Sequence, residues 1–456
     1  MDVRLMFAAL REALVTLLAA LATLACTLAI AAEPGPAILA VVLCLSLSRS
    51  QLDRDLRGRI EAAIALPIVS LAALGVAWLL HHLPLVGAAA FVVALSLSIW
   101  LRRFGPMGRK AGTLIALPFV TILVTPYAPP RHVSPALALA MPVIVALLAL
   151  FWVSVMHAVA QRLGWMPAAP PSKTVERAAT PNAGGMRPMA STRMAAQMGV
   201  ALAAAFAVGH LFFEQHWAWV VLTAFIVNSG SQGRLDVAYK SGLRLLGAAA
   251  GTVMALLMSQ GLGGHDAGTV ALMLAALFMG LWLRPMGYGW WALFITLALA
   301  LLQGFEGASP HALLAQRLLE ILIGALIGVA SAWWVWPVKS TDVLRRRMAD
   351  ALAALAEATD PARPERGPGP FLAGLAAVRK ISPAFRAARW LRKPQAADWI
   401  DRLLACEAPA VALIERRETP RPVRKAVGLA RLAMKTPEDI GPALAELLKE
   451  LQTPPA

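Results

Sequence analysis

Apolar stretches of bilayer-spanning length recur from residue 12 to residue 337, and nothing in this chain constrains its fold more. A hydrocarbon core of ~30 Å asks for roughly 20 apolar residues per helix. The stretches fall at 12–32, 36–48, 60–80, 84–101, 112–127, 137–160, 194–213, 217–229, 243–260, 267–283, 289–304 and 316–337. Backbone polar groups must be satisfied internally in lipid, so each stretch predicts a helix. Two of them, 36–48 and 217–229, are short. Tilted neighbours in thin bilayer and broken helices lining a cavity are both open for these. Composition removes the competing classes. The chain is 59% hydrophobic and 15% charged, against roughly 25% charged in soluble domains. A soluble enzyme would lack polar surface, and a disordered chain needs low hydrophobicity. The fold class is an all-α polytopic membrane protein of about twelve transmembrane helices.

Charge placement gives topology. The formal charge is +16, and residues 339–456 carry 21 basic and 14 acidic groups, against 21 and 12 in residues 1–338. In a soluble protein such an excess would suggest nucleic acid; here it divides a sparsely charged membrane part from a charge-rich tail, and no nucleic-acid partner is expected. Arg49, Arg54, Arg57 and Arg59 share one loop, and Arg102, Arg103, Arg109 and Lys110 the next but one. The segment from Arg162 to Arg193 and the loop with Arg234, Lys240 and Arg244 continue the series. Alternate loops carry little: Glu33, His81-His82, Arg131, Glu214, Asp266 and Glu306. The positive-inside rule then puts both termini in the cytoplasm. Arg4, Arg11 and Ala29-Ile30-Ala31 imitate a secretory signal, but the apolar run exceeds the usual ~7–15 residues, which favours a retained helix. Cys26, Cys44 and Cys406 form no CxxC pair, so neither a disulfide framework nor a zinc site is expected.

The membrane part reads as two halves. Arg11 and Arg193 open the first helix of each, 182 residues apart, and Trp100-Leu101-Arg102 and Trp282-Leu283-Arg284 close the fourth at the same offset. Pro106-Met107-Gly108 and Pro285-Met286-Gly287 follow them. Six spans per half is an even number, so the repeats are parallel, related by an axis along the membrane normal. The division is a first six-helix repeat at 1–165, a cytoplasmic linker at 166–192, a second repeat at 193–338 and a helical cytoplasmic domain at 339–456. In the tail, Val343, Leu344, Met348, Leu352 and Leu355 make one apolar stripe beside Arg345, Arg346 and Arg347, and helical stretches are expected near 371–392, 397–417, 423–435 and 438–451.

The second half carries the specific motifs. Trp217-Ala218-Trp219 with Thr223 opens a short helix, and Arg244, Gly247 and Gly251 lie at helical spacing in the next. Arg317-x-x-Glu320-x-x-x-Gly324-x-x-x-Gly328 runs through the last span to Trp336-Pro337. These features resemble the fusaric acid resistance (FUSC) family, within the aromatic acid exporter superfamily, with plant aluminium-activated malate transporters as distant relatives. The resemblance is good over 193–338, fair over 1–165 and weak in the tail. It implies a bacterial inner-membrane protein, two six-helix halves and efflux of aromatic or other organic acids. Some members work with a periplasmic adaptor and an outer-membrane channel; a homo-oligomer is also compatible with it. The chain departs from the family pattern where Ala248 follows Gly247, and where the sixth span reads Met141-Pro142-Val143 without an Arg-x-x-Glu.

No enzyme motif is present: there is no GxxxxGK[ST], HExxH or GxSxG, so no catalytic residue, cofactor or built-in ATPase is expected, and an ion gradient is the expected energy source. Glu320 lies one turn after Arg317 on the same helix face. A charge within a span costs at least ~2.5–3.5 kcal/mol. Either the two neutralise each other structurally, or they form a substrate or proton site in which the arginine fork binds a carboxylate. Arg244 is either a snorkelling positive-inside anchor or a cytoplasmic entry site for anions. Trp217, Trp219, Trp290, Trp291, Trp333, Trp334 and Trp336 sit at span ends as an interfacial belt or, more specifically, a stacking wall for an aromatic substrate. Asn228 and Gln303 offer polar contacts or helix–helix bridges. Histidines 81, 82, 132, 216, 265 and 311 fall on outward loops or span ends without metal-ligand spacing. The leading function is secondary efflux of organic acids. An organic-anion channel and a non-transporting membrane scaffold are the alternatives.

Overall fold

The computed structural model describes residues 3–50, 56–124, 134–166, 189–214, 216–259, 267–305, 310–362, 367–389, 395–417 and 420–453. The loop at 260–266, linker residues 167–188, and Arg54, Arg131, His132 and Glu306 lie outside them, and of Gln303 and His311 only the helical backbone is described. The described residues are helical without strands, and the protein is an all-α, multi-pass membrane protein. Nine of the described helices are long and apolar enough to cross a membrane, and three shorter apolar ones stand between them.

The membrane helices are α1 Val3–Ile30, α2 Pro34–Ser50, α3 Leu56–His82, α4 Pro84–Trp100, α5 Gly105–Val124 and α6 Pro135–Arg162. They continue as α7 Ala190–Phe212, α8 Trp217–Asn228, α9 Arg234–Ser259, α10 Ala267–Leu283, α11 Tyr288–Phe305 and α12 Pro310–Trp334. Proline starts several of them, where its missing N–H is harmless. Ser134 accepts from Leu137 N at 3.4 Å and caps α6. The two Trp-Leu-Arg stretches both tighten into a short 3-10 turn before the next helix, at Leu101–Phe104 and Arg284–Met286. Each turn ends at a glycine that only glycine fits easily, Gly105 with φ 77° and Gly287 with φ 157°.

Several helix pairs of the first half recur by position in the second. Helix α1 packs on α2 and α6, and α2 on α6; α7 packs on α8 and α12, and α8 on α12. Likewise α4 lies on α5 and α10 on α11. Helix α3 lies on α5, and Gly247 and Gly251 bring α9 onto α11, where an added Cβ would stand 2.7 Å from Ala292 Cβ and 2.4 Å from Leu293 O. Across the halves, α4 packs on α7 while α10 packs on α1. Exchanging the halves maps one of these contacts onto the other.

The tail helices are α13 Ser340–Ala358, α14 Gly369–Ala388, α15 Gln395–Ala405, α16 Glu407–Glu415, α17 Arg421–Ala433 and α18 Pro437–Gln452. Where the sequence suggests one helix over 397–417, there are two, broken at Cys406. Pro409 is the reason: its ring clashes with the carbonyl four residues back and it offers no N–H to continue the ladder. The unit that contains the tail also takes in Gly230–Tyr239. Arg234 N donates to Val338 O at 3.2 Å and Leu235 N to Ser340 Oγ at 2.9 Å. Its core is a continuous cluster that includes Leu344, Met348, Leu352, Phe371, Ile400, Val427 and Leu444. Arg345 does not lie on a free basic face: its Nε donates to Met434 O at 2.7 Å and its Nη2 to Lys435 O at 2.6 Å.

Candidate functional site

Helices α8 and α12 meet through glycine. A Cβ on Gly324 would stand 2.5 Å from Val220 O, and one on Gly328 2.4 Å from Val227 Cγ2. Small residues four apart let two membrane helices approach this closely. Arg317 precedes Gly324 by two helical turns, so the glycine stripe also fixes which way the arginine points. Its guanidinium carbon lies 3.7 Å from the Trp219 ring centroid. A desolvated cation–π contact of this kind stabilises by about 2 kcal/mol.

Arg317 is 3% exposed and Glu320 is 1% exposed. Both Glu320 carboxylate oxygens are buried and accept no hydrogen bond of ordinary geometry among the described residues. Gln316 and Arg317 are its polar neighbours on α12, and Gln316 Nε2 reaches His216 Nδ1 at 3.2 Å. Thr223, one turn along α8 from Trp219, adds a buried hydroxyl with no hydrogen bond among the described residues. Arg244 is 2% exposed, which excludes a side chain snorkelling to water. It lies within electrostatic range of Arg317, so α9 and α12 present positive charge to one region.

The two tryptophans of the motif part company. They are two residues apart on a helix, hence on nearly opposite faces. Trp219 meets Arg317, whereas Trp217 stacks on His210 at 5.1 Å and packs on Phe206 at 5.3 Å, over the gap left by Gly209. Asn228 is not brought to the arginine either. Its Nδ2 donates to Ala224 O at 3.0 Å, and it sits nine residues beyond Trp219, about 13 Å along the helix at ~1.5 Å per residue. Trp290, Trp334 and Trp336 face outward, in keeping with a belt. The residues brought together are thus Trp219, Thr223, Arg317 and Glu320, with Arg244 nearby. No cluster of three or more metal-ligating side chains exists among the described residues.

Sequence reasoning missed a second polar cluster, in the first half. His157 on α6 is 3% exposed, and its Nε2 lies 3.2 Å from Ser48 Oγ. Ser48 Oγ lies 2.7 Å from Thr16 Oγ1, which donates to Glu12 O at 2.8 Å. Thr16 spends its one proton on that carbonyl, so Ser48 donates to Thr16 and must accept from His157. The imidazole is therefore a donor at Nε2. A lone histidine inside an apolar run was the available signal.

Comparison with known proteins bears on the same region. Residues 200–331, from α7 into α12, match the family described as fusaric acid resistance protein-like. An uncharacterized Escherichia coli K12 protein, YhfK, is 26% identical over 170 residues, which is 36% of this chain and 23% of that relative. No solved structure matches.

Proposed function

We propose that this protein is a secondary efflux transporter for organic anions, aromatic acids among them, in the bacterial inner membrane. Both termini are cytoplasmic in this reading, its two membrane halves are parallel repeats, and export is coupled to an ion gradient. The observation that carries it is the buried Arg317 stacked on Trp219, beside Glu320 and within range of Arg244. Two guanidiniums against one carboxylate leave this group with one net positive charge, the complement of a carboxylate guest. Stacking uses the flat face of a guanidinium, whereas bidentate recognition of a carboxylate uses its edge. Trp219 therefore orients the fork without competing for the substrate. Glu320 is the group that exchanges the coupling proton, and Thr223 is a further hydrogen-bonding partner for the guest. The match to a family named for resistance to an aromatic acid supports the substrate class. A periplasmic adaptor and an outer-membrane channel are the partners that would carry the acid across the rest of the envelope.

The test is transport in proteoliposomes under an imposed pH gradient, with radiolabelled benzoate as probe. Wild type accumulates benzoate against its gradient; a protein that only dissipates the gradient is a channel. Arg317→Gln abolishes transport, and Arg317→Lys restores a fraction of it, because an ammonium lacks the fork. The double variant Arg317→Gln/Glu320→Gln separates site from scaffold. A double variant that folds and transports at the wild-type rate defeats the reading. Topology is checked by impermeant thiol labelling in intact cells, which reaches a cysteine at His82 and not one at Met107.

A further inference from the structure

We propose that the outward face of α17 is a docking surface for anionic phospholipid headgroups. Among the described residues of the tail, two large apolar side chains are exposed: Leu429, 50% exposed, and Leu432, 61% exposed. They lie three apart on one helix and face the same way. Around them the helix exposes Arg421, Arg424, Lys425 and Arg431, and Lys435 is exposed just past its end. From Arg416 to Lys435 the sequence holds seven basic residues and one acidic residue, Glu418.

What distinguishes this face is that its charges enter no ion pair among the described residues. On α14, Arg386 pairs with Asp401 at 2.8 Å, and Arg379 and Arg389 pair with Glu407 and Asp398. Neither the four basic side chains on α17 nor Lys435 takes part in an ion pair among the described residues. The opposite face, with Val423, Ala426, Val427 and Ala430, is locked into the tail core, and Arg345 ties off the carbonyls at the helix end. The leucines and cations are thus held outward in a fixed arrangement. Leucines interleaved with arginine and lysine on one helix face suit the boundary between headgroups and acyl chains, where apolar burial and attraction to anionic lipid act together.

The experiment uses the full chain in nanodiscs. A cysteine at Gly428 lies on the same face, and an added Cβ there meets nothing within 4 Å, so a label leaves the packing intact. Cys26 is changed to Ser; Cys44 and Cys406 are buried. An environment-sensitive fluorophore at position 428 is read in discs of phosphatidylcholine alone and of phosphatidylcholine mixed with phosphatidylglycerol. The expected result is a blue shift and quenching by lipid-borne quenchers only in the anionic discs, diminished by added salt. Arg424→Glu/Lys425→Glu should abolish the shift, and Leu429→Ser/Leu432→Ser should abolish the lipid-borne quenching, both with unchanged circular dichroism because all four side chains are exposed. Identical spectra in the two lipids overturn the proposal. So does a shift that tracks protein concentration in neutral discs, which would assign the face to a second copy of the chain, or one that survives charge reversal.

Discussion

Helices α6 and α12 hold the same place in their halves, each packed on the first two helices of its own set, yet they bury opposite kinds of polarity. Helix α6 carries a hydrogen-bonded chain, His157 to Ser48 to Thr16, in which each hydroxyl donates one bond and accepts one. Helix α12 carries Arg317 and Glu320, and the carboxylate oxygens have no hydrogen bond of ordinary geometry among the described residues. A satisfied hydrogen-bonded chain costs little in a low-dielectric interior, whereas a buried charge needs compensation. In the proposed function that compensation comes from a charged guest in the second half, and the first half is its scaffold.

Exchanging the charges is the most severe way to break that contrast. Met141 in α6 is 3% exposed, and Met141→Arg places an uncompensated guanidinium in the first half. A cost of about 3–5 kcal/mol is expected, and the variant should fail to elute as folded protein from size exclusion in detergent. Normal elution would show that the first half accepts charge as readily as the second.

The glycine seam is next. Gly324→Ala pushes a methyl into the Val220 carbonyl and should cost about 1–3 kcal/mol by thermal unfolding. Gly75 in α3, whose Cβ position is open, is the control: Gly75→Ala should be neutral or stabilise by about 0.4–1 kcal/mol. Equal effects would mean that α8 and α12 do not depend on close approach.

The tryptophans sharpen the comparison within one half. Trp219→Leu removes the Arg317 stack, worth about 2 kcal/mol, and should raise the substrate KM and lower the transport rate. Trp217→Leu loses packing against His210 and should lower the melting temperature while leaving KM unchanged. Ser48→Ala, in the first half, should cost about 1–3 kcal/mol by leaving its partners unsatisfied, with benzoate transport unaltered; a loss of transport there would extend the functional pathway into the first half. The smallest effect concerns the tail. Burial pushes the Cys406 thiol up to about 12, so maleimide should leave it unmodified at neutral pH until denaturant opens the domain.

The amino-acid sequence by itself determined the class, the helical stretches and the stripe on α12, because hydropathy and helical period are local properties. Arg317, Glu320, Gly324 and Gly328 share a face by spacing alone. The sequence also marked where α4 and α10 close, through Trp-Leu-Arg. Only the tertiary structure decided the partners. It sent Trp219 to the arginine and Trp217 to α7, buried Arg244, left Asn228 to its own helix, joined His157 to Ser48, and drew Gly230–Tyr239 into the tail unit. The physical reason is that a helix fixes the direction of a side chain relative to its own axis, while its neighbour is set by how helices remote in sequence pack. Two tryptophans with the same local signature therefore acquire different roles once α7 and α12 close on opposite sides of α8.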